Sequence, residues 1–288
     1  MLLPFFIALR PRHWVKNLFL LPALVFSRHL FEGAYLGLAW AAVGSFCLLS
    51  SAVYLLNDVC DREQDRRHPE KAQRPIAAGL VPVWGALAGA VILAALALVL
   101  AFFLQRDFGW VALIYLLLNL SYSLRLKHVV LVDVMMVAAC YLLRAVGGGV
   151  VLQVSISTWF VLCSFTLALF LAVVKRRQEL VVLEGDAGHH RAILNEYSVP
   201  FLDQIIAILT SATLVCYALY AMGVGEGGGG AMQWTIPFVL YGLLRYLYIV
   251  HRQGGGANPT AVIWGDRPLQ INLLLWLGVS IAALYGTF

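Results

Sequence analysis

Long apolar runs alternate with short polar connections along the whole chain. Most runs approach the ~20 residues that a membrane-spanning helix needs. The pattern predicts about nine spans, near residues 14–32, 36–56, 81–104, 108–124, 129–151, 157–175, 200–223, 232–251 and 269–287. The polar connections differ in charge. Arg10, Arg12 and Lys16 precede or open the first span, and Arg62, Arg66, Arg67, Lys71 and Arg74 fill the second connection. Arg125 and Lys127 lie in the fourth, Lys175, Arg176, Arg177 and Arg191 in the sixth, and Arg252 and Arg267 in the eighth. The alternate connections hold little beyond Arg28, Arg106 and the glycine run Gly227 to Gly230. Basic segments stay on the cytoplasmic side, so the amino terminus is expected inside and the carboxyl terminus outside.

Composition supports this reading. Hydrophobic residues make up 61% of the 288 positions and charged residues 12%, with a mean hydropathy of +0.84. A soluble domain carries roughly 25% charged residues. The expected fold is therefore all-α, a polytopic membrane helical bundle forming one catalytic domain over residues 1–288. The partner is a lipid bilayer, no nucleic acid is expected, and homo-oligomerisation is left open. No short apolar segment with a small-residue cleavage site precedes the first span, so no removable leader is expected. Cys47, Cys60, Cys140, Cys163 and Cys216 are scattered without metal-ligand spacing or a disulfide framework. The span interiors are nearly free of charge, which favours an enzyme at the cytoplasmic interface over a transporter with polar groups at the midplane.

One polar segment stands out. Asn57-Asp58-Val59-Cys60-Asp61-Arg62-Glu63-Gln64-Asp65 closes the second span. On an α-helix, Asp61, Asp65 and Asp58 fall roughly 40°, 80° and 100° from Asn57, so the four oxygen-bearing side chains share a stripe. Such a stripe repels itself without a counter-ion. Hard oxygen ligands suit Mg²⁺, which keeps several waters and bridges substrate phosphates. The loop that follows, His68-Pro69-Glu70-Lys71-Ala72-Gln73-Arg74-Pro75-Ile76-Ala77-Ala78-Gly79, adds cations. Carboxylates and cations in one loop fit a metal–diphosphate site, with Lys71 and Arg74 on the outer oxygens. Arg66 and Arg67 read as membrane-side anchors.

Other residues are less committal. Arg144 lies deep in a span, about 16 Å along the axis from Asp133 and on the same face. It is read either as a ligand for a lipid phosphate or as an internal ion-pair partner. Gly147, Gly148 and Gly149 permit close helix packing. Trp14, Trp159, Trp234 and Trp264 read as an interfacial belt. The seven histidines sit mostly at span ends, and His189 and His190 lack the spacing of a metal pair. The glycine- and proline-rich stretch from Arg252 to Pro268 is a candidate flap carrying Asp266.

Asn-Asp-x-x-Asp-x-x-x-Asp at the end of the second span, the basic loop ending Arg-Pro-Ile-Ala-Ala-Gly and the nine expected spans together resemble the UbiA superfamily of intramembrane prenyltransferases. The resemblance implies a UbiA-like bundle open sideways to lipid, with a prenyl substrate held through Mg²⁺ at two aspartate-rich cytoplasmic motifs. Asn57, Asp58, Asp61 and Asp65 would form the first. Tyr122 and Lys127, in Ser121-Tyr122-Ser123-Leu124-Arg125-Leu126-Lys127, resemble the tyrosine and lysine that face the diphosphate. Lys16 would meet a substrate phosphate. The second motif departs from the family: Lys175-Arg176-Arg177-Gln178-Glu179 stands where Asp-x-x-x-Asp is usual. A basic cluster there suits a phosphate group held directly by lysine and arginine.

The departure points to one branch. Arg10-Pro11-Arg12-His13-Trp14-Val15-Lys16-Asn17, Tyr122 to His128 with Asp133, Lys-Arg-x-x-Glu-Leu from Lys175, His190-Arg191 with Leu194 and Tyr197, and Asp266-Arg267-Pro268-Leu269 are similar to decaprenyl-phosphate phosphoribosyltransferases. That resemblance implies transfer of 5-phosphoribose from 5-phosphoribosyl 1-diphosphate to a polyprenyl phosphate, with release of diphosphate, for cell-envelope arabinose donors. It also implies a bacterial plasma membrane and a cytoplasmic site. Lys71, Arg74 and Lys127 would stabilise the leaving diphosphate, Lys175 to Arg177 the 5-phosphate, and Asp133 or Asp266 the oxocarbenium-like ribose. Arg191 joins the substrate-binding set. Two rival readings are prenyl transfer from a diphosphate to an aromatic acceptor, and non-catalytic transport of lipid-linked phosphates.

Overall fold

The computed structural model describes residues 2–67, 71–182, 192–223, 231–252, 262–263 and 265–286. Among them the regular structure is helical, with no strand. The α-helices are α1 (Leu2–Ala8), α2 (Pro22–Phe26), α3 (Gly33–Cys60), α4 (Arg62–Arg67), α5 (Val83–Leu104), α6 (Arg106–Leu124), α7 (Val132–Leu152), α8 (Thr158–Val182), α9 (Val199–Ala221), α10 (Ile236–Arg252) and α11 (Arg267–Tyr285). Seven of them, α3, α5 to α9 and α11, are long and apolar enough to cross a membrane. Unpartnered apolar side chains such as Trp84, Val91, Val99 and Phe103 on α5 are exposed, as a lipid-facing surface requires. The protein is a multi-pass membrane helical bundle.

The expected count of nine is not met as drawn. Instead of one helix over 14–32, the chain forms a 3-10 helix, Pro11–Leu20, followed by the short α2. Pro22 ends hydrogen bonding from the preceding turn. Arg28 then takes a left-handed conformation (φ 66°), beyond the end of α2. The eighth expected span is α10, whose 17 residues include Arg245 and Arg252. The other seven boundaries agree to within a turn or two.

The chain divides into two compact units, Met1–Lys127 with Leu143–Ser155, and His128–Leu142 with Ile156–Phe288. In the first unit α3 packs on α5, α6 and the 3-10 helix. Small residues make this close: Ala42, Ala52, Ala86, Ala90, Ala97 and Ala101 are buried. Ser45 saves its hydroxyl by donating to the Ala97 carbonyl (2.9 Å). Gly148 on α7 lies so near the Leu20 carbonyl that an added Cβ would stand 2.0 Å from its oxygen. The expected role of this glycine run in close packing is seen there. In the second unit α8 packs on α9, and α10 on α11, around Phe170, Val173, Leu202, Ile206, Leu243 and Tyr246.

Candidate active site

The aspartate stripe sits where α3 ends. Asn57 and Asp58 occupy the last helical turn, Asp61 leaves helical geometry (φ −93°, ψ 4°), and Asp65 lies on α4. The stripe is thus broken at Asp61 instead of running along one continuous helix. Backbone bonds from Asp61 N–H to Asn57 O (2.9 Å) and Asp65 N–H to Asp61 O (2.8 Å) keep the four-residue spacing across the break.

Each aspartate meets a cation. Asp58, only 2% exposed, accepts from Arg10, whose guanidinium also lies over the Tyr54 ring (5.1 Å). Arg74 Nη1 bridges Asp58 Oδ1 (3.2 Å) and the buried Asp65 Oδ2 (2.6 Å). Lys127 Nζ is 2.5 Å from Asp61 Oδ1. Asn57 Oδ1 accepts from the Ser123 hydroxyl, one residue past Tyr122 on α6. Burying carboxylates singly would cost several kcal/mol each, and pairing offsets it.

The loop after α4 holds Arg74 in place. Ile76 and Ala77 are buried, and Leu80 and Val81 N–H both donate to the Pro75 carbonyl (2.9 and 3.1 Å). Gly79 supplies the left-handed turn (φ 77°) that the reversal needs. Arg66, read as an anchor, donates through Nε to the Ala77 carbonyl (3.0 Å) and so ties the loop to α4. His68 to Glu70 lie outside the described residues.

Among the described residues no three His, Cys, Asp or Glu side chains are gathered as a metal ion requires. The donor chemistry nevertheless fits a hard cation. One Arg74 nitrogen stands between the carboxylates of Asp58 and Asp65, in the position of a shared counter-ion. Asp61, with 28% of its side chain exposed, is the accessible third carboxylate.

The amino-terminal segment delivers Arg10 by a ladder of contacts down α3. Ser51 Oγ donates to the Leu9 carbonyl (3.1 Å), and Trp14 Nε1 donates to Ser51 Oγ (3.0 Å). Asn17, fully buried, donates to Ser50 Oγ (3.2 Å) and accepts from Arg144 Nε (2.9 Å). Arg144 also donates to the Tyr115 hydroxyl (2.7 Å) and lies over its ring (4.8 Å). Arg144 therefore has a packing role within the first unit. Lys16 is half-buried on the 3-10 helix, and Lys71 and Tyr122 are also half-buried.

In the second unit the basic segment on α8 is drawn inward. Arg176, 4% exposed, donates from Nε to the fully buried Asp133 Oδ2 (2.6 Å) and from Nη1 to Glu179. Asp133 Oδ1 accepts from the Tyr197 hydroxyl (2.7 Å), which in turn accepts from the Leu131 N–H (2.6 Å). Leu131 has a left-handed backbone (φ 65°) at the start of α7. Burial, then the hydrogen bond to Asp133, pushes the Tyr197 phenol up to about 12. Arg177 pairs with Asp203 (2.5 Å), which His251 also approaches (3.3 Å). Lys175 is exposed and 3.8 Å from Glu179.

These placements bear on two roles expected from the sequence. Asp133 is buried against Arg176 and Tyr197, which leaves it no surface for a ribose. Asp266 caps α11 through the Leu269 N–H (2.9 Å) and forms a fork with Arg245 (2.8 and 3.2 Å). The Arg245 hydrogen bond holds its carboxyl below the usual carboxylate range. Arg191, His189, His190 and Trp264 lie outside the described residues.

Sequence reasoning missed Arg10 and Ser123. Arg10 stands in the sequence as one of three closely spaced cations, with Arg12 and Lys16, and nothing local marks it as the one that reaches Asp58.

A helical membrane bundle with neutralised acidic and basic groups gathered at a helix end defines a class of membrane-embedded enzymes that handle phosphorylated lipids. The pattern of the UbiA prenyltransferase family matches residues 18–276, and the chain belongs to that family. It is 35% identical to a decaprenyl-phosphate phosphoribosyltransferase of Mycolicibacterium smegmatis, over 96% of this chain and 91% of the relative. It is 37% identical to the enzyme of the same name from Mycobacterium tuberculosis, over 97% and 94%. A UbiA homolog from Archaeoglobus fulgidus bound to GPP and Mg²⁺ superposes with a TM-score of 0.76 at 19% identity, covering 98% of this chain and 99% of that one.

Proposed function

We infer that this chain is a phosphoribosyltransferase of the bacterial plasma membrane, acting on the cytoplasmic side. It joins 5-phosphoribosyl 1-diphosphate to a polyprenyl (decaprenyl) phosphate and releases diphosphate. The observation that carries the reading is the cluster of Arg10, Arg74 and Lys127 around Asp58, Asp61 and Asp65. The near full-length likeness to enzymes named for this reaction supports it. We treat residues 1–288 as one catalytic domain.

The reaction breaks the bond from the anomeric carbon to the diphosphate oxygen and forms one to an oxygen of the lipid phosphate. A phosphate monoester has a second pKa of about 6, so the nucleophile is already ionised and no general base is required. Direct displacement inverts the anomeric centre. Asp58, Asp61 and Asp65, with Asn57, would hold Mg²⁺, which neutralises diphosphate oxygens when bound. Lys71, Arg74 and Lys127 hold the outer oxygens of the leaving group, where charge builds. Tyr122 and Lys16 are assigned to substrate phosphates, and Lys175 and Arg177 to the ribose 5-phosphate. Arg176 acts by positioning its neighbours, because its hydrogen bonds are spent on Asp133 and Glu179.

The test is to incubate detergent-solubilised protein with polyprenyl phosphate and labelled 5-phosphoribosyl diphosphate, with and without Mg²⁺. Label is expected in the lipid phase only with Mg²⁺, and an Asp61→Ala variant should transfer little. Equal consumption of the sugar donor by both proteins would sink the reading. Transfer of a labelled prenyl group to 4-hydroxybenzoate would favour the prenyl-donor chemistry instead.

A further inference from the structure

Arg10 is held in a conformation that an arginine rarely adopts. Its backbone is left-handed (φ 54°, ψ 58°), and Pro11 follows it. A side chain at Cβ disfavours that region, and proline narrows the choices of the residue before it. The strain is local and is sustained by the surroundings. The Leu9 carbonyl is fixed by Ser51, Trp14 by Ser51, and Asn17 by Ser50 and Arg144. Partners on α3 fall from Tyr54 and Asp58, through Ser51, to Ser50 and Cys47 as the chain advances from Arg10 to Asn17. The segment therefore runs antiparallel to α3.

The 3-10 form suits this ladder. It rises about 2.0 Å per residue against 1.5 Å for an α-helix, so few residues reach from the middle of α3 to its charged end. Ten residues of 3-10 helix is long for that geometry. The result is a guanidinium aimed at Asp58 and supported by Tyr54, one turn earlier on the same helix. Asp58 is buried and already shares Arg74 with Asp65. Packing alone does not call for a second arginine there, delivered at the expense of a strained backbone. Sparsely populated backbone conformations persist where the structure over-determines them, and they cluster at ligand clamps.

We propose that Arg10 is a substrate-positioning cation that pairs with Asp58 in the resting protein and passes to the diphosphate when Mg²⁺ takes the carboxylate. The proposal rests on the aspartate cluster being a Mg²⁺–diphosphate site, and it adds a residue and an exchange to that site. It makes Arg10 a competitor of the metal for Asp58 and a partner of the anion that arrives with the metal. Removing the guanidinium should therefore act in opposite directions on the two ligands.

The test measures binding, not turnover. The purified full chain in detergent is titrated calorimetrically with Mg²⁺ alone, and then with inorganic pyrophosphate in saturating Mg²⁺. Wild type is compared with Arg10→Gly and Arg10→Ala. Both variants delete the cation, but only glycine adopts the left-handed backbone without strain. Arg10→Gly should melt higher than Arg10→Ala. Both should lose roughly ten- to hundredfold in pyrophosphate affinity, the worth of a hydrogen bond to a charged group. Mg²⁺ alone should bind both variants at least as tightly as wild type. Unchanged pyrophosphate affinity in the variants overturns the proposal while leaving the diphosphate site intact. Losses of Mg²⁺ and pyrophosphate in parallel, graded by melting temperature, overturn it in favour of a structural role. A wild-type protein that binds no pyrophosphate overturns both the proposal and the functional reading beneath it.

Discussion

Lys127 and Asp61, 66 positions apart in the chain, meet with Nζ 2.5 Å from Oδ1. The lysine reaches the aspartate from the turn after α6, and Ser123 on the same helix reaches Asn57. Lys127→Met keeps most of the side chain's length and removes the charge. Transfer of label to lipid should fall roughly 10²- to 10³-fold, as when one donor to a developing negative charge is removed. Folding should change little, because Asp61 is open enough to take water in place of the ammonium. Turnover within a fewfold of wild type would remove Lys127 from the reaction.

Arg176 and Asp133 form the buried ion pair of the second unit. Arg176→Ala leaves Asp133 charged and buried, a change that typically costs about 3–5 kcal/mol. Arg176→Lys should not restore stability, since one ammonium cannot reproduce a fork serving Asp133 and Glu179 together. Thermal unfolding in detergent reads the outcome. A stable Arg176→Ala protein with weakened binding of the sugar donor would instead assign Arg176 to a phosphate.

Tyr197 gives a pH signature in the alkaline range. Its phenol is pushed up to about 12 from an ordinary value near 10. A folded-state value raised above the unfolded one favours the protonated phenol. The stabilisation is therefore complete below about pH 10 and is lost as pH rises toward 12. Tyr197→Phe also leaves Asp133 and the Leu131 N–H each short of a partner. It should cost about 1–3 kcal/mol at neutral pH. The gap in melting temperature between wild type and variant should be flat from pH 7 to pH 9 and shrink above about pH 10.

Gly148 has no room for a methyl group against the Leu20 backbone. Gly148→Ala must push the 3-10 helix away from α7, at about 1–3 kcal/mol for overpacking. Because that helix carries Trp14 and Asn17 in register with α3, transfer should fall along with stability. Gly278→Ala on α11, where an added Cβ meets nothing within 4 Å, is the matched control and should leave transfer unchanged and stability no lower.

The spans were legible because lipid imposes one rule on every residue in a run. Residues 81–104 were expected as a span and Val83–Leu104 is found. The oxygen-bearing polar positions were legible for a related reason: Asn57, Asp58, Asp61 and Asp65 interrupt that rule together. Their partners were not. Arg10 to Asp58, Ser123 to Asn57 and Arg176 to Asp133 are long-range pairs, and no local periodicity encodes which cation meets which carboxylate. The segment 14–32 was misread because its composition is apolar, whereas its path is set by Pro11, Pro22 and side chains facing α3. Asp133 looked like a site residue because a charge near a span end is conspicuous, and only packing reveals that it is consumed inside.

Glu179 is tied to Arg176, and Arg176 to Asp133. Changing exposed Lys175 to aspartate would place two carboxylates four positions apart on α8, yet Glu179 would stay committed to the arginine. Freeing it would require losing Arg176, which strands Asp133. The buried pair thus withdraws Asp133 and engages Glu179, so a charge change at Lys175 alone would not create a second pair of uncommitted carboxylates.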